Sequence, residues 1–368
     1  MITAINNATI FTGEQVLQEQ SLLISNERIL DIVSPDAVPA DTSVIDASGH
    51  LISPGFIDLQ IYGAGGYLFS NEPSGAALQA VTNAIVRSGT TTYMLTFATN
   101  EMDIYLKSFE IVQQNPHPAL AGIHLEGPYF NPQKRGAHIE GLIRRPTAQE
   151  VNALLGDAGG TLKMMTLAPE VTSDEVLRLL SDHGVIISAG HSNATFSQAM
   201  HGFANGIRTV THLFNAMSPL HHRDTGLPGA AFLSDHAYAS IIPDGVHVDW
   251  QAFKIAKQMM GRRLFFITDA VQEVLQGPYM HVRKPDRYTL PDGTLSGSCI
   301  TMVEGVRNAV RYGAVTLDEA LRMASLYPAE VMGATDIGRI RKDAKANLVM
   351  LNEELELKKV WLEGEIQE

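Results

Sequence analysis

Apolar, β-branched runs recur along the chain at 51–61, 91–98, 120–125, 162–167, 185–189, 209–213, 239–242 and 264–268. Each run is nearly continuous in apolar residues, the pattern of a strand buried on both faces of a parallel sheet. Between them, segments 75–87, 102–113, 148–155, 173–180, 197–204 and 250–260 place apolar residues at helical spacing. Serial strand-helix units of this kind predict an α/β fold, a (β/α)8 TIM-like barrel, and the roughly 250 residues such a barrel needs fit within 51–341.

The first fifty residues alternate instead. Short strands are predicted at 4–11, 22–25, 28–33 and 43–46, punctuated by Asn6-Asn7, Ser25-Asn26 and Ser48-Gly49, with no helix. The tail has the same character, with strands at 346–351 and 358–363 around a turn near Asn352. A two-stranded piece of either end alone is marginal in water. Residues 1–50 and 342–368 are therefore expected to combine into one small β-sandwich domain, leaving 51–341 as the barrel. The segment 271–296, with Gly277-Pro278, Pro285 and Asp292-Gly293, reads as a hairpin or lid over the barrel top.

Composition narrows the picture. The 368 residues are 45% hydrophobic and 18% charged, as in globular enzymes. No run approaches the ~18 to 20 apolar residues of a membrane helix, and the opening MITAINNATIFTG lacks the basic segment of a secretory signal. A cytoplasmic location is expected. The net charge of −13 argues against nucleic acid or a membrane surface as partner. It does not bear on a local pocket for a small anion. The single cysteine, Cys299, cannot form an internal disulfide and is expected to be a small buried hydrophobe.

Barrels of this type carry their chemistry at the carboxyl ends of the strands. Those ends read His124-Leu125-Glu126-Gly127-Pro128, Ala189-Gly190-His191-Ser192, Thr211-His212-Leu213-Phe214-Asn215, Asp244-Gly245-Val246-His247 and Thr268-Asp269-Ala270. Among 13 histidines, one histidine after an apolar strand is usually structural. One carboxylate and two imidazoles at equivalent strand ends are different, because together they make an open metal site with a position left for water or substrate. Glu126, His191 and His212 are the predicted ligands. His124, two residues before Glu126, is assigned a structural or supporting role, and Thr211 a packing one. An aspartate directly after the apolar run 264–268 would be costly if buried unpaired, so Asp269 is predicted to be the acid-base group beside a water activated by the metal.

Ser53-Pro54-Gly55-Phe56-Ile57-Asp58 after a small β-domain, with ligands at later strand ends and a final Asp269, resembles the amidohydrolase superfamily. Within it, His124 to Pro128, Ala189-Gly190-His191-Ser192-Asn193-Ala194-Thr195, Thr211-His212-Leu213-Phe214-Asn215-Ala216-Met217, Asp244-Gly245-Val246-His247-Val248-Asp249 and Leu295-Ser296-Gly297-Ser298 are similar to the N-acetylglucosamine-6-phosphate deacetylase family nearly end to end. One departure matters. Many amidohydrolases carry His-x-His after the first strand and hold two metals; here the chain has Gln60-Ile61-Tyr62, and no lysine stands at a strand end where a bridging carbamate would be expected. One divalent metal per subunit is therefore expected, Zn²⁺ by its ligand set, with Fe²⁺, Co²⁺ or Mn²⁺ also fitting. Gln60 is expected to hydrogen-bond the activated water.

The resemblance also implies the substrate contacts and the reaction. His138 would touch the acetyl carbonyl or sugar hydroxyls and act in catalysis, with Ala137 beside it as a backbone contact. Asn215 and Ala216 would offer backbone N–H groups to a phosphate, and Arg223 and His247 positive charge and donors. Leu295, Ser296 and Gly297 would contact the sugar ring beneath the lid. A homodimer or higher homo-oligomer is implied, since the partner subunit often completes the phosphate pocket. The implied reaction is deacetylation of a phosphorylated N-acetyl amino sugar, N-acetyl-D-glucosamine 6-phosphate, to D-glucosamine 6-phosphate and acetate. The epimer at the sugar's fourth carbon stays open, so the N-acetylgalactosamine 6-phosphate reaction is the alternative. Another amidohydrolase reaction is disfavoured by the missing His-x-His together with Arg223 and Asn215-Ala216. A non-catalytic binding barrel is disfavoured by the presence of Glu126, His191, His212 and Asp269.

Overall fold

The computed structural model describes residues 2–313 and 315–368. Eight parallel strands form the central sheet: β1 (Phe56–Ile61), β2 (Thr90–Ala98), β3 (Leu120–Glu126), β4 (Leu162–Leu167), β5 (Ile186–Ala189), β6 (Ile207–Val210), β7 (Tyr238–Ile241) and β8 (Leu264–Phe266), paired in that order. Beyond β8 the ring closes on β1: Asp269 N–H donates to Gln60 O at 2.9 Å and Tyr62 N–H to Ala270 O at 3.0 Å. The (β/α)8 barrel read from the apolar runs is thus the fold. Every residue of β1 and β2 is buried, which is why these strands read as continuous apolar runs and not as alternation.

Helices α1 (Gly75–Arg87), α2 (Met102–Gln114), α3 (Ala148–Ala158), α4 (Asp174–Asp182), α5 (Phe196–Ala204) and α7 (Trp250–Met260) fall where helical spacing placed them, to within a few residues. Side chains start several of them, as where Ser74 accepts from Ala77 N–H, and Thr195 and Gln198 close a capping box on α5. Helix α6 (Gly226–Leu233) escaped the reading. Seven of its eight residues, Gly226 to Phe232, are buried, so it has no polar face to reveal a period.

Both chain ends build one small body on two sheets. One sheet orders its strands 28–33, 21–25, 2–6 and 43–46; the other runs from the tail strands 365–367, 357–362 and 348–351 through 51–54 to 9–11 and 16–17. Ile5, Leu22 and Ile24 of the first sheet share a core with Ile10, Ile52, Leu348 and Trp361 of the second, separate from the barrel core. The run 51–61, predicted as one strand, is two: Leu51–Pro54 pairs with Leu348–Leu351, and Phe56–Ile61 enters the barrel. Gly55 joins them. A Cβ there would stand 2.1 Å from Thr91 Oγ1, far inside contact. Gly55→Ala is expected to destabilise the fold by roughly 1–3 kcal/mol through overpacking; a urea midpoint equal to wild type would show that the junction relaxes freely.

Segment 271–296 is a lid built on a short hairpin, Val282–Arg283 paired with Tyr288–Thr289. Cys299 is partly exposed and unpaired, not buried as expected. No helix among the described residues is long and apolar enough to cross a membrane.

Candidate functional site

A cleft of about 340 Å³ opens at the carboxyl ends of the strands. Into it project Glu126 at the end of β3, His191 after β5, His212 after β6 and Asp269 after β8, all nearly buried. One ligand atom from each of Glu126, His191 and His212 lies within 4.8 Å of the others. His191 Nε2 and His212 Nε2 face each other at 3.1 Å and stand 3.3 and 3.0 Å from Glu126 Oε1.

The local backbone is unusual at the same points. His191, His212 and Asp269 have φ of 47°, 35° and 53°, in the left-handed region. Such positions cost on the order of 1–3 kcal/mol each and persist only where the surroundings over-determine them. Around His191 that support is visible. Its Nδ1 lies 2.9 Å from Lys134 O, its carbonyl accepts from Asn131 N–H at 3.0 Å, and Phe130 stacks on its ring at 4.4 Å. Glu170 accepts from Ser192 Oγ and Asn193 N–H at 2.7 and 2.6 Å, gripping the next two residues.

These contacts bear on what the set can hold. A ring nitrogen facing a carbonyl must carry the proton, so His191 has Nδ1–H and a bare Nε2 lone pair. Burial first, with the His138 imidazole adding, pushes the His191 pKa down to about 4, which keeps it neutral. Against burial, hydrogen bonds from His138 and His212 hold the Glu126 carboxyl well below the carboxylate range. The His191 Nε2 lone pair, with His212 Nε2 and a carboxylate converging on it in a dry pocket, is what a divalent cation requires, and the residues fit one.

Asp269 is outside that trio. Burial pushes its carboxyl up to about 7, with the Glu126 charge adding and His212 opposing. Gln60 Nε2 donates to Asp269 Oδ1 at 2.7 Å and Glu126 Oε1 at 2.9 Å. Gln60 therefore lies beneath the cleft with its amide against two carboxylates. His138 lines the cleft. Its Nδ1 accepts from Thr99 N–H at 3.1 Å, which leaves Nε2–H to donate to Glu126 Oε2 at 3.0 Å. His124 is fully buried and held on both nitrogens, by Leu59 O at 2.9 Å and Thr166 Oγ1 at 2.7 Å.

Ala137, Asn215, Ala216, His247, Leu295, Ser296 and Gly297 all line the same cleft. Asp244 Oδ2 orients His247 through Nδ1 at 2.6 Å. The Asn215 N–H already bonds His212 O at 2.9 Å, closing a turn, while Ala216 N–H makes no hydrogen bond among the described residues. Arg223 stands apart: it is exposed, on a loop outside the cleft walls of its own chain. Sequence reasoning did not single out Tyr62, Phe130, Tyr279 or His281. Tyr62, Tyr279 and His281 line the cleft, and Phe130 packs against His138 and His191. Aromatic residues near motif residues were a signal only in retrospect, since nothing in the spacing separates them from core.

Comparison with known proteins adds a lineage to this geometry. The model of the Amidohydrolase family matches residues 51–366, and that of the NagA composite domain matches 3–52. The chain is 33% identical over 362 residues to N-acetylglucosamine-6-phosphate deacetylase of Haemophilus influenzae, covering 94% of each. It is 30% identical over 381 residues to N-acetylgalactosamine-6-phosphate deacetylase of Escherichia coli O157:H7, covering 97% of this chain and 98% of that one. It also resembles the crystal structure of N-acetylglucosamine-6-phosphate deacetylase from Pasteurella multocida, with TM-score 0.95, 32% identity and coverage of 100% and 99%.

Proposed function

The chain belongs to the amidohydrolase family, and from that premise we infer that it is a metal-dependent hydrolase removing the acetyl group of N-acetyl-D-glucosamine 6-phosphate to give D-glucosamine 6-phosphate and acetate. The observation that carries this reading is the meeting of Glu126, His191, His212 and Asp269 in one cleft, in a fold that matches a deacetylase from end to end. A divalent cation held by Glu126, His191 and His212, Zn²⁺ by ligand preference and otherwise Fe²⁺, Co²⁺ or Mn²⁺, supplies a Lewis acid and lowers the pKa of water.

The chain's own groups do the rest. Asp269 takes the proton of the attacking water and passes it to the departing nitrogen. His138 turns its Nε2–H to the carbonyl oxygen as negative charge collects there. Gln60 holds Asp269 and Glu126 in register from below. Ala216 N–H and His247 serve the phosphate, Asn215 shaping the turn that presents the first and Asp244 orienting the second, and Ala137, Leu295, Ser296 and Gly297 border the sugar. Arg223, exposed outside the cleft of its own chain, is assigned to the cleft of a second subunit in a homodimer. One cysteine in 368 residues agrees with a cytoplasmic setting.

The galacto epimer is the second reading, favoured by the likeness to the Escherichia coli protein. Acetate release from N-acetylglucosamine 6-phosphate, its 4-epimer and the unphosphorylated sugar decides among these. Chelated protein should be inactive and Zn²⁺ should restore it, with the phosphorylated gluco sugar preferred. Preference for the 4-epimer would transfer the assignment, and release from none would remove it.

A further inference from the structure

Glu126 is gripped from two sides. Its Oε1 faces Gln60, His212 and His191 nitrogens at 2.9, 3.0 and 3.3 Å. Its Oε2 bonds neither ligand imidazole but meets His138 Nε2 at 3.0 Å and the hydroxyl of Tyr62. Tyr62 follows β1, and its ring packs with Leu68, Ala98, Val271 and Tyr279 in an apolar cluster separate from the barrel core. Gln60 Nε2 stands 3.3 Å from the Tyr62 oxygen, but its two N–H groups are taken at shorter range by Asp269 and Glu126, and the Tyr62 O–H donates to Glu126 Oε2.

We propose that Tyr62 is a positioning residue whose hydroxyl holds Glu126 Oε2 aside, so that Glu126 presents only Oε1 to the cation, and keeps Oε2 paired when His138 turns to substrate. A carboxylate can bind a cation through one oxygen or two, and hydrogen bonds to the second oxygen decide which. His138 cannot do this alone throughout a turnover, because one N–H does not hold Oε2 and a carbonyl oxygen at full strength together. The part concerning His138 rests on the deacetylase reading; the part concerning Glu126 does not.

Tyr62→Phe keeps the ring and deletes the donor. Zn²⁺ competition between chelator-treated protein and a chromophoric chelator should show affinity weaker by roughly 10–100-fold. At saturating Zn²⁺, kcat should fall while KM stays within about twofold, as for an interaction made in the transition state. The metal-free variant should unfold at the wild-type temperature, which separates positioning from packing. Unchanged Zn²⁺ affinity overturns the proposal. Should the variant fail to fold, the wild-type protein carries the test: with ¹³C-labelled glutamate, the infrared separation of the two carboxylate stretches on adding Zn²⁺ should widen, as for one-oxygen ligation, and narrowing overturns the claim. If wild type shows no deacetylase activity, only the kinetic arm falls, and the affinity arm still decides the Tyr62–Glu126 contact.

Discussion

Asp269→Asn is expected to lower kcat by about 10²–10⁴-fold, the range for losing a general acid-base group, while Zn²⁺ content stays at the wild-type level. Asp269 lies outside the Glu126–His191–His212 set, so its loss leaves the ligands intact. Asparagine is nearly isosteric and keeps an oxygen for the 2.7 Å bond from Gln60 Nε2, so the floor of the cleft should persist. What it lacks is a site for the proton of the attacking water. The pH profile adds a second readout. Only the ionised carboxyl can accept that proton, and burial places its pKa at about 7. Activity should therefore be full above the folded pKa and lost as pH falls through it. A bound cation favours the ionised form and moves this limb to lower pH. The limb should vanish from the residual activity of Asp269→Asn. A variant with wild-type kcat, or one that sheds its metal, would sink the assignment.

His191→Ala is expected to be as severe by a different route. It removes one of three ligands, so Zn²⁺ affinity should fall by more than the roughly 10–100-fold typical of losing a supporting hydrogen bond. Activity should become undetectable after dialysis and recover only in part with excess Zn²⁺. The variant should remain folded, because His191 sits in the cleft and not in any of the three apolar clusters. It should nevertheless lose the thermal stabilisation that Zn²⁺ gives wild type by mass action. Metal analysis beside thermal scans with and without Zn²⁺ checks this, and an unchanged metal content would remove His191 from the ligand set.

Much of the barrel was legible because burial on both sheet faces favours nearly continuous apolar runs, a constraint written locally at β1 and β2. Glu126, His191 and His212 could be picked out because each follows such a run, and the strand ends of a barrel share one mouth. The strand 51–61 was misread as single because Leu51–Pro54 and Phe56–Ile61 are both apolar, and only their partners reveal that they serve different sheets. The place of Gln60 after Asp58 and Leu59 says which strand it ends, not which carboxylates it will meet. Arg223 lay beyond reach for a related reason: the loop carrying it has no apolar periodicity to tie it to a wall.

The order and burial of the strands, and which of them end in a carboxylate, an imidazole or an aspartate, were determined by the chain itself, since local patterning and short-range geometry suffice. Tertiary structure alone decided how these groups meet. Gln60 and Asp269, 209 residues apart, touch because the ring closes there. His191 has a bare Nε2 because a carbonyl 57 residues away takes its Nδ1–H. The positive φ of His191, His212 and Asp269 is likewise supported by neighbours distant in sequence, Asn131, Ser240 and Gln60, because L-residues rarely adopt that conformation unaided. Proton placement and strained backbone are properties of the closed barrel, and no segment of the chain carries them alone.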